Sequence, residues 1–103
     1  MDTSQEPAEQ KISLEMGYTH EDFIRTLETF MDGQPYFVSG TQIHIPQTAS
    51  EVNISLGVEG ERRIGPTIRL PQTPVEIVFS GFSEGNQKRF MERFEMIFRR
   101  GGG

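Results

Sequence analysis

Val52-Asn53-Ile54-Ser55-Leu56-Gly57-Val58 alternates apolar side chains with small or polar ones. This is the period of two by which an extended chain buries one face and leaves the other to solvent. The stretch reads as a strand that directs Val52, Ile54, Leu56 and Val58 into a core. The polar loop Pro46 to Ser50 precedes it, and before that Tyr36, Val38, Ile43 and Ile45 keep the same period on either side of Ser39 and Gly40. Those two residues fit a tight hairpin turn or a bulge in one long strand, and the hairpin is favoured.

Further toward the N-terminus the period changes to that of a helix. Phe23, Ile24, Leu27, Phe30 and Met31 recur at three- and four-residue intervals, while Glu21, Arg25, Glu28 and Asp32 face elsewhere. Thr19 followed by Asp22 approximates a capping box, and Tyr18 with Phe23 has the spacing of a hydrophobic staple. Gly33 supplies a left-handed stop and Pro35 forbids resumption. Ile12, Leu14 and Met16 alternate as a first strand, and residues 1–10 are polar, acidic and interrupted by Pro7, the composition of a disordered tail. A single domain is expected over 11–103, since the chain is too short for two ordinary cores.

C-terminal to Val58, Glu59 and Gly60 make a short turn, and Ile64, Pro66, Ile68 and Leu70 continue the alternation as an edge or bulged strand. Pro71 and Pro74 bracket another turn. Val75, Ile77 and Phe79 form a last strand, with Val78 on its opposite face. Ser83 caps a second helix whose buried stripe is Phe90, Met91, Phe94, Ile97 and Phe98 and which Gly101 stops. Arg99 and Arg100 in its last turn suit the carbonyl end of the helix dipole.

The expected fold is therefore α+β, a two-layer sandwich in the order β-α-β-β-β-β-α, with one further short strand allowed. Its sheet is curved and mostly antiparallel, with two helices on one face. Over residues 12–100 this order resembles the TATA-binding-protein-like arrangement. The resemblance rests on element order, carries no motif, and implies architecture without implying function.

Composition narrows the chemistry. The chain has no cysteine, so thiolate catalysis, zinc thiolate sites and cysteine-held clusters are excluded, and disulfides with them. No window has the apolar length of a membrane span and the first residues lack the pattern of a secretory signal, which makes a cytoplasmic location the expectation. Net charge is −5, but residues 1–61 carry eleven acids against Lys11 and Arg25, whereas residues 62–103 carry four acids against eight bases. Such polarity points to attraction between elements or to steering of a partner.

His20 and His44 are the only imidazoles. His20 reads as an exposed first-turn residue. His44, between Ile43 and Ile45, falls on the sheet face opposite the core, and an enzyme would need it to gather acids in a pocket. No serine sits in a nucleophile elbow, no glycine run carries a phosphate-binding lysine, and no spacing announces a metal site. Arg62, Arg63 and Arg69 on one hairpin and Lys88, Arg89 and Arg93 on the second helix would form an anion or acidic-partner site if those elements adjoin. Nucleic acid is the less favoured partner, because the outward sheet positions lack aromatics to stack on bases.

Phe37, Val78 and Met96 point away from the inferred core and are candidate apolar contacts. The terminal Gly101-Gly102-Gly103 superficially resembles the di-glycine tails of ubiquitin-like and sulfur-carrier proteins, though here it follows a helix. The function these residues favour is a small non-catalytic binding or accessory protein, monomeric or homodimeric and without a cofactor. Its sheet face, or a groove between sheet and second helix, would hold a protein partner or small ligand. The acidic-partner site, the glycine-tail carrier and an enzyme centred on His44 stand as alternatives.

Overall fold

A computed structural model describes residues 9–100. Its elements run β1 (Gln10–Met16), α1 (His20–Met31), β2 (Phe37–Ser39), β3 (Gln42–Pro46), β4 (Glu51–Leu56), β5 (Gly60–Ile64), β6 (Ile68–Ser80) and α2 (Glu84–Arg100). All pairings are antiparallel, the sheet order is β1-β6-β4-β3-β2, and β5 pairs with β6 beyond the sheet. The expected α+β sandwich with two helices on one face is what forms. Phe23, Leu27 and Phe30 of α1 and Phe94 and Phe98 of α2 share one buried cluster with Ile43, Ile45, Val52, Ile54, Val75, Ile77 and Phe79. Among the described residues no helix is long and apolar enough to cross a membrane.

The local signals for the helices act as anticipated. Thr19 accepts from the Asp22 amide at 3.0 Å and Ser83 from the Asn86 amide at 3.1 Å, each supplying a partner for an amide that the first turn leaves free. Tyr18 and Phe23 meet edge to face at 6.3 Å, closing the staple. The Tyr18 hydroxyl donates to the Phe98 carbonyl in the last turn of α2, and buried Thr73 donates to the Tyr18 carbonyl at 2.7 Å. Tyr18 thus joins both helices to the sheet. Stacked Phe94 and Phe98, 4.2 Å apart, continue the aromatic layer against Phe23 and Phe30.

Several boundaries differ from the sequence reading, each for a physical reason. The first strand begins at Gln10, inside the expected tail, because Gln10 pairs with Phe79; residues 1–8 and the terminal glycines lie outside the described residues. Asp32, at φ 51°, is the first left-handed residue after α1 and Gly33 follows at 87°. Ser39 pairs with Gln42, so the hairpin loop is Gly40-Thr41, with glycine at a positive φ in its first position. Val38 faces the helix side but stays exposed on the short edge strand.

The largest correction concerns residues 57–74. Val58, expected in the core, is 86 % exposed. Leu56 pairs with Val75, while Gly60 pairs with Gln72. One extra residue is thus accommodated between β4 and β5, a bulge that turns Val58 outward. The stretch Ile64 to Leu70 is not one strand but the end of a hairpin, turning at Gly65 (φ 81°) through Thr67. Pro71 and Pro74 do not bracket a turn; both lie inside the 13-residue β6.

Both prolines have positions that tolerate a missing N–H. The Gly57 amide donates to the Pro74 carbonyl at 2.7 Å, so Pro74 directs its backbone polar groups toward β4. By alternation, Pro71 turns its nitrogen to an unpaired edge, where no donor is needed.

Candidate binding surface

The face of the sheet opposite the helices is open. Because Thr73, Val75, Ile77 and Phe79 point into the core, Glu76 and Val78 of β6 point to this open face, and the register extends the pattern sideways. Lys11, Val78, Asn53, His44 and Phe37 form one transverse row. Phe37, 61 % exposed, stacks on the His44 ring at 6.4 Å. His44 Nδ1 lies 2.8 Å from the Asn53 amide oxygen, so Nδ1 carries the proton in that bond, and Nε2 lies 3.6 Å from Glu51. The outward groups beyond this row are mainly acids and amides: Glu15 accepts from Gln72 at 2.9 Å and Glu76 pairs with Lys11 at 3.4 Å. Between them, around Pro74, lies a shallow depression of about 390 Å³ lined also by Ser13, Ser55 and Gly57.

The β5–β6 hairpin carries this face beyond the sheet as an arm. Following the alternation of β6, Ile68 and Leu70 belong to the open-face side, and their partners Ile64 and Arg62 lie opposite them. Ile64, Ile68 and Leu70 are 44 %, 54 % and 45 % exposed. Arg63, Arg69 and Glu61 occupy the other side, where Arg69 meets Glu61 at 3.5 Å. One surface of the arm is therefore apolar with a single cation, and the other is charged.

The arm is anchored at its root by a group that sequence reasoning treated as a plain surface residue. His20 is half-buried, and its Nε2 lies 2.6 Å from the Gly57 carbonyl. That carbonyl belongs to the pair Gly57–Pro74, in which the return bond of an antiparallel ladder is impossible because proline has no N–H. The imidazole supplies the donor that Pro74 lacks. The His20 amide, at the start of α1, donates to the Glu59 carboxylate in the bulge, so the first helix holds the β4–β5 connection on either side of Val58.

The basic residues singled out in the sequence form two groups rather than one. Arg62, Arg63 and Arg69 stand on the arm. Phe90 packs on Phe79 and Phe82 at the opposite end of β6, and Lys88 and Arg89 lie within a turn of it. Arg69 and Phe79 stand ten positions apart along β6, about 33 Å at the usual rise. Arg93 is already engaged over the Phe30 ring at 4.6 Å, and Arg89 donates to Asn86 at 2.8 Å.

The apolar candidates are divided as well. Phe37 and half-buried Val78 share the open face, while Met96 is exposed on α2, over the other face. A sheet–helix groove does exist between β1 and α2. It holds about 260 Å³ and is lined by Leu14, Met16, Tyr18, Phe94 and Phe98, with Glu95 and Arg99 at its rim.

Among the described residues His44 lines none of the main depressions, and Glu51 is its one carboxylate neighbour. Among the described residues, no three histidines or carboxylates gather as a metal site. Comparisons with family models, curated proteins and solved structures find no match to this chain.

Proposed function

We propose that the protein is a non-catalytic protein-binding module that grips its partner with the β5–β6 arm and the open sheet face continuous with it. The observation that carries this reading is the exposure of Ile64, Ile68 and Leu70 on one side of a ribbon that contributes nothing to the core. An exposed apolar ribbon is an aggregation hazard, and a chain that keeps one gains from it only when another surface covers it. Arg62 among these residues, and Arg63 and Arg69 behind them, select a partner whose apolar groove is rimmed by carboxylates.

The open face supports a protein rather than a nucleic acid. Glu9, Glu15, Glu51 and Glu76 lie on or beside it against the single base Lys11, a field that repels phosphates. The depression near Pro74 is shallow and bordered by Glu15 and Glu76, suited to a side chain of the same partner more than to an enclosed small ligand.

Site-specific photo-crosslinking tests the proposal. A crosslinking residue at position 68 or 70 in the source cell is expected to trap one defined protein, and at position 96 not to. Binding of that protein, once purified, should be lost on Ile64→Ser with Ile68→Ser and weakened by salt or by Arg62→Glu. Equal trapping from positions 68 and 96, or none from the arm, overturns the reading.

A further inference from the structure

We infer that two copies of the chain join through their β1 edges, antiparallel about a two-fold axis at Ser13, to make one continuous sheet with an arm at each end. This is separate from the arm's own partner and does not depend on it. Among the described residues β1 is an edge strand of 7 residues, paired only with β6. Since Pro74 turns its backbone groups toward β4, the odd residues of β6 face β1 and bond the even residues of β1 opposite them. The N–H and C=O groups of Lys11, Ser13 and Glu15 consequently point out of the free edge.

Those three residues are arranged to pair with themselves. In a two-fold antiparallel pairing centred on Ser13, Lys11 lies opposite Glu15 of the second copy, Ser13 opposite Ser13, and Glu15 opposite Lys11. Each of these opposed pairs exchanges both of its N–H···O=C bonds. Lys11 and Glu15 side chains share the open face, where Glu76 of the same copy holds Lys11 at 3.4 Å, so each copy offers a cation where the other offers an anion. On the helix side Ile12 falls opposite Leu14. Both are half-buried within one copy, and Leu14 lines the groove between β1 and α2.

Other alignments lose these matches. Sliding by one residue sets core-side residues against open-face residues and places the two helix layers on opposite sides. Sliding by two sets Lys11 against Ser13, and parallel in-register pairing sets lysine against lysine. An edge strand usually blunts itself with charge against all pairing; one charge of each sign, equidistant from Ser13, instead admits a single self-pairing.

Sedimentation or native mass spectrometry of the full chain is expected to give a dimer. Lys11→Glu sets a carboxylate against Glu15 of the second copy, and Glu15→Lys sets lysine against lysine, so each variant alone should be monomeric. An equimolar mixture of the two should recover a heterodimer, because an ion pair is restored at each crossing where the two variants meet in the opposed positions, one strand supplying only anions and the other only cations. A monomeric wild-type chain at millimolar concentration, or a dimer indifferent to both reversals, overturns the inference. Hydrogen exchange on the unmodified chain is a second reading. The amides of Lys11, Ser13 and Glu15 should become protected as concentration rises, and amides that exchange freely at every concentration overturn it equally.

Discussion

Replacing His20 by alanine removes the side-chain donor to the Gly57 carbonyl, and the neighbouring proline predicts how the loss can be reversed. In the native chain the Gly57 amide reaches the Pro74 carbonyl at 2.7 Å and the His20 imidazole reaches the Gly57 carbonyl at 2.6 Å. An acceptor left unsatisfied loses about 1–3 kcal/mol when buried, and the site's partial solvent access places His20→Ala near the lower figure, about 1 kcal/mol. For a chain of this length that is a fall in melting temperature of roughly 4–8 °C. Pro74→Ala alone should destabilise by about 0.4–1 kcal/mol, through the greater freedom of the unfolded chain.

Combined with His20→Ala, the same change gives position 74 an N–H aimed at the Gly57 carbonyl, so the losses should not add. The double variant is expected to be no less stable than His20→Ala alone, a coupling of about 0.5–1 kcal/mol. Urea unfolding followed by circular dichroism reads this as shifts in midpoint at unchanged slope. Strictly additive losses, or a stable His20→Ala chain, would refute the hydrogen-bond assignment. The pair has a steric counterpart: a methyl group on Gly57 would stand 3.0 Å from both Cβ and Cγ of Pro74, so Gly57→Ala should be tolerated better with Pro74→Gly, which removes both atoms, than without it.

Val58→Ser should change stability by less than about 0.5 kcal/mol, whereas Ile54→Ala, from a fully buried position of the same alternating stretch, should remove about 2–5 kcal/mol; thermal melts distinguish them. Burial raises the Tyr18 pKa above the ordinary 10.0, opposed by a Thr26 hydrogen bond and assisted by Asp22. Its contribution is therefore complete below pH 10 and is lost as pH climbs from the unfolded value through the folded one, where the unfolded chain holds fewer protons. Tyr18→Phe should lose about 1 kcal/mol near neutrality, with its bond to Phe98, and flatten that alkaline decline in a pH series of urea midpoints. Arg93→Ala should destabilise by about 0.5–1 kcal/mol through its seat over Phe30, and Arg93→Lys should retain part of it in the same assay.

The sequence was most informative where structure is local. The caps at Thr19 and Ser83, the Tyr18–Phe23 staple and both helix stripes depend on residues three to five apart, and each was legible directly. Strand alternation also identified the core side of β4 from Val52 to Leu56. It misled at Val58, which the bulge turns outward, and at Ile64, Ile68 and Leu70, because a projecting ribbon alternates as a half-buried strand does. What separates the two is whether anything packs on the apolar side, and that is a long-range fact.

Pairing register was equally hidden. Two prolines broke β6 in the sequence reading, which concealed the length that parts Arg69 from Lys88 and Arg89. The need for His20 as a donor arises only once Gly57 is known to face Pro74. Of the candidate surface, the basic character of residues 62–69 could be read in advance; its apolar side, its projection and its hinge could not.

The arm's exposed apolar residues lie outside the core cluster and are expected to take no part in this chain's own folding. Replacing residues 61–71 by Asn-Gly, a dipeptide suited to a two-residue hairpin loop, leaves the hydrogen-bonded pair Gly60–Gln72 to close the turn, and measuring the melting temperature tests that directly. The shortened chain should melt within a few degrees of the full one, about 0.5 kcal/mol at most. A drop of the size caused by Ile54→Ala would show that the arm is packed in the folded protein and contradict its assignment as a free binding surface.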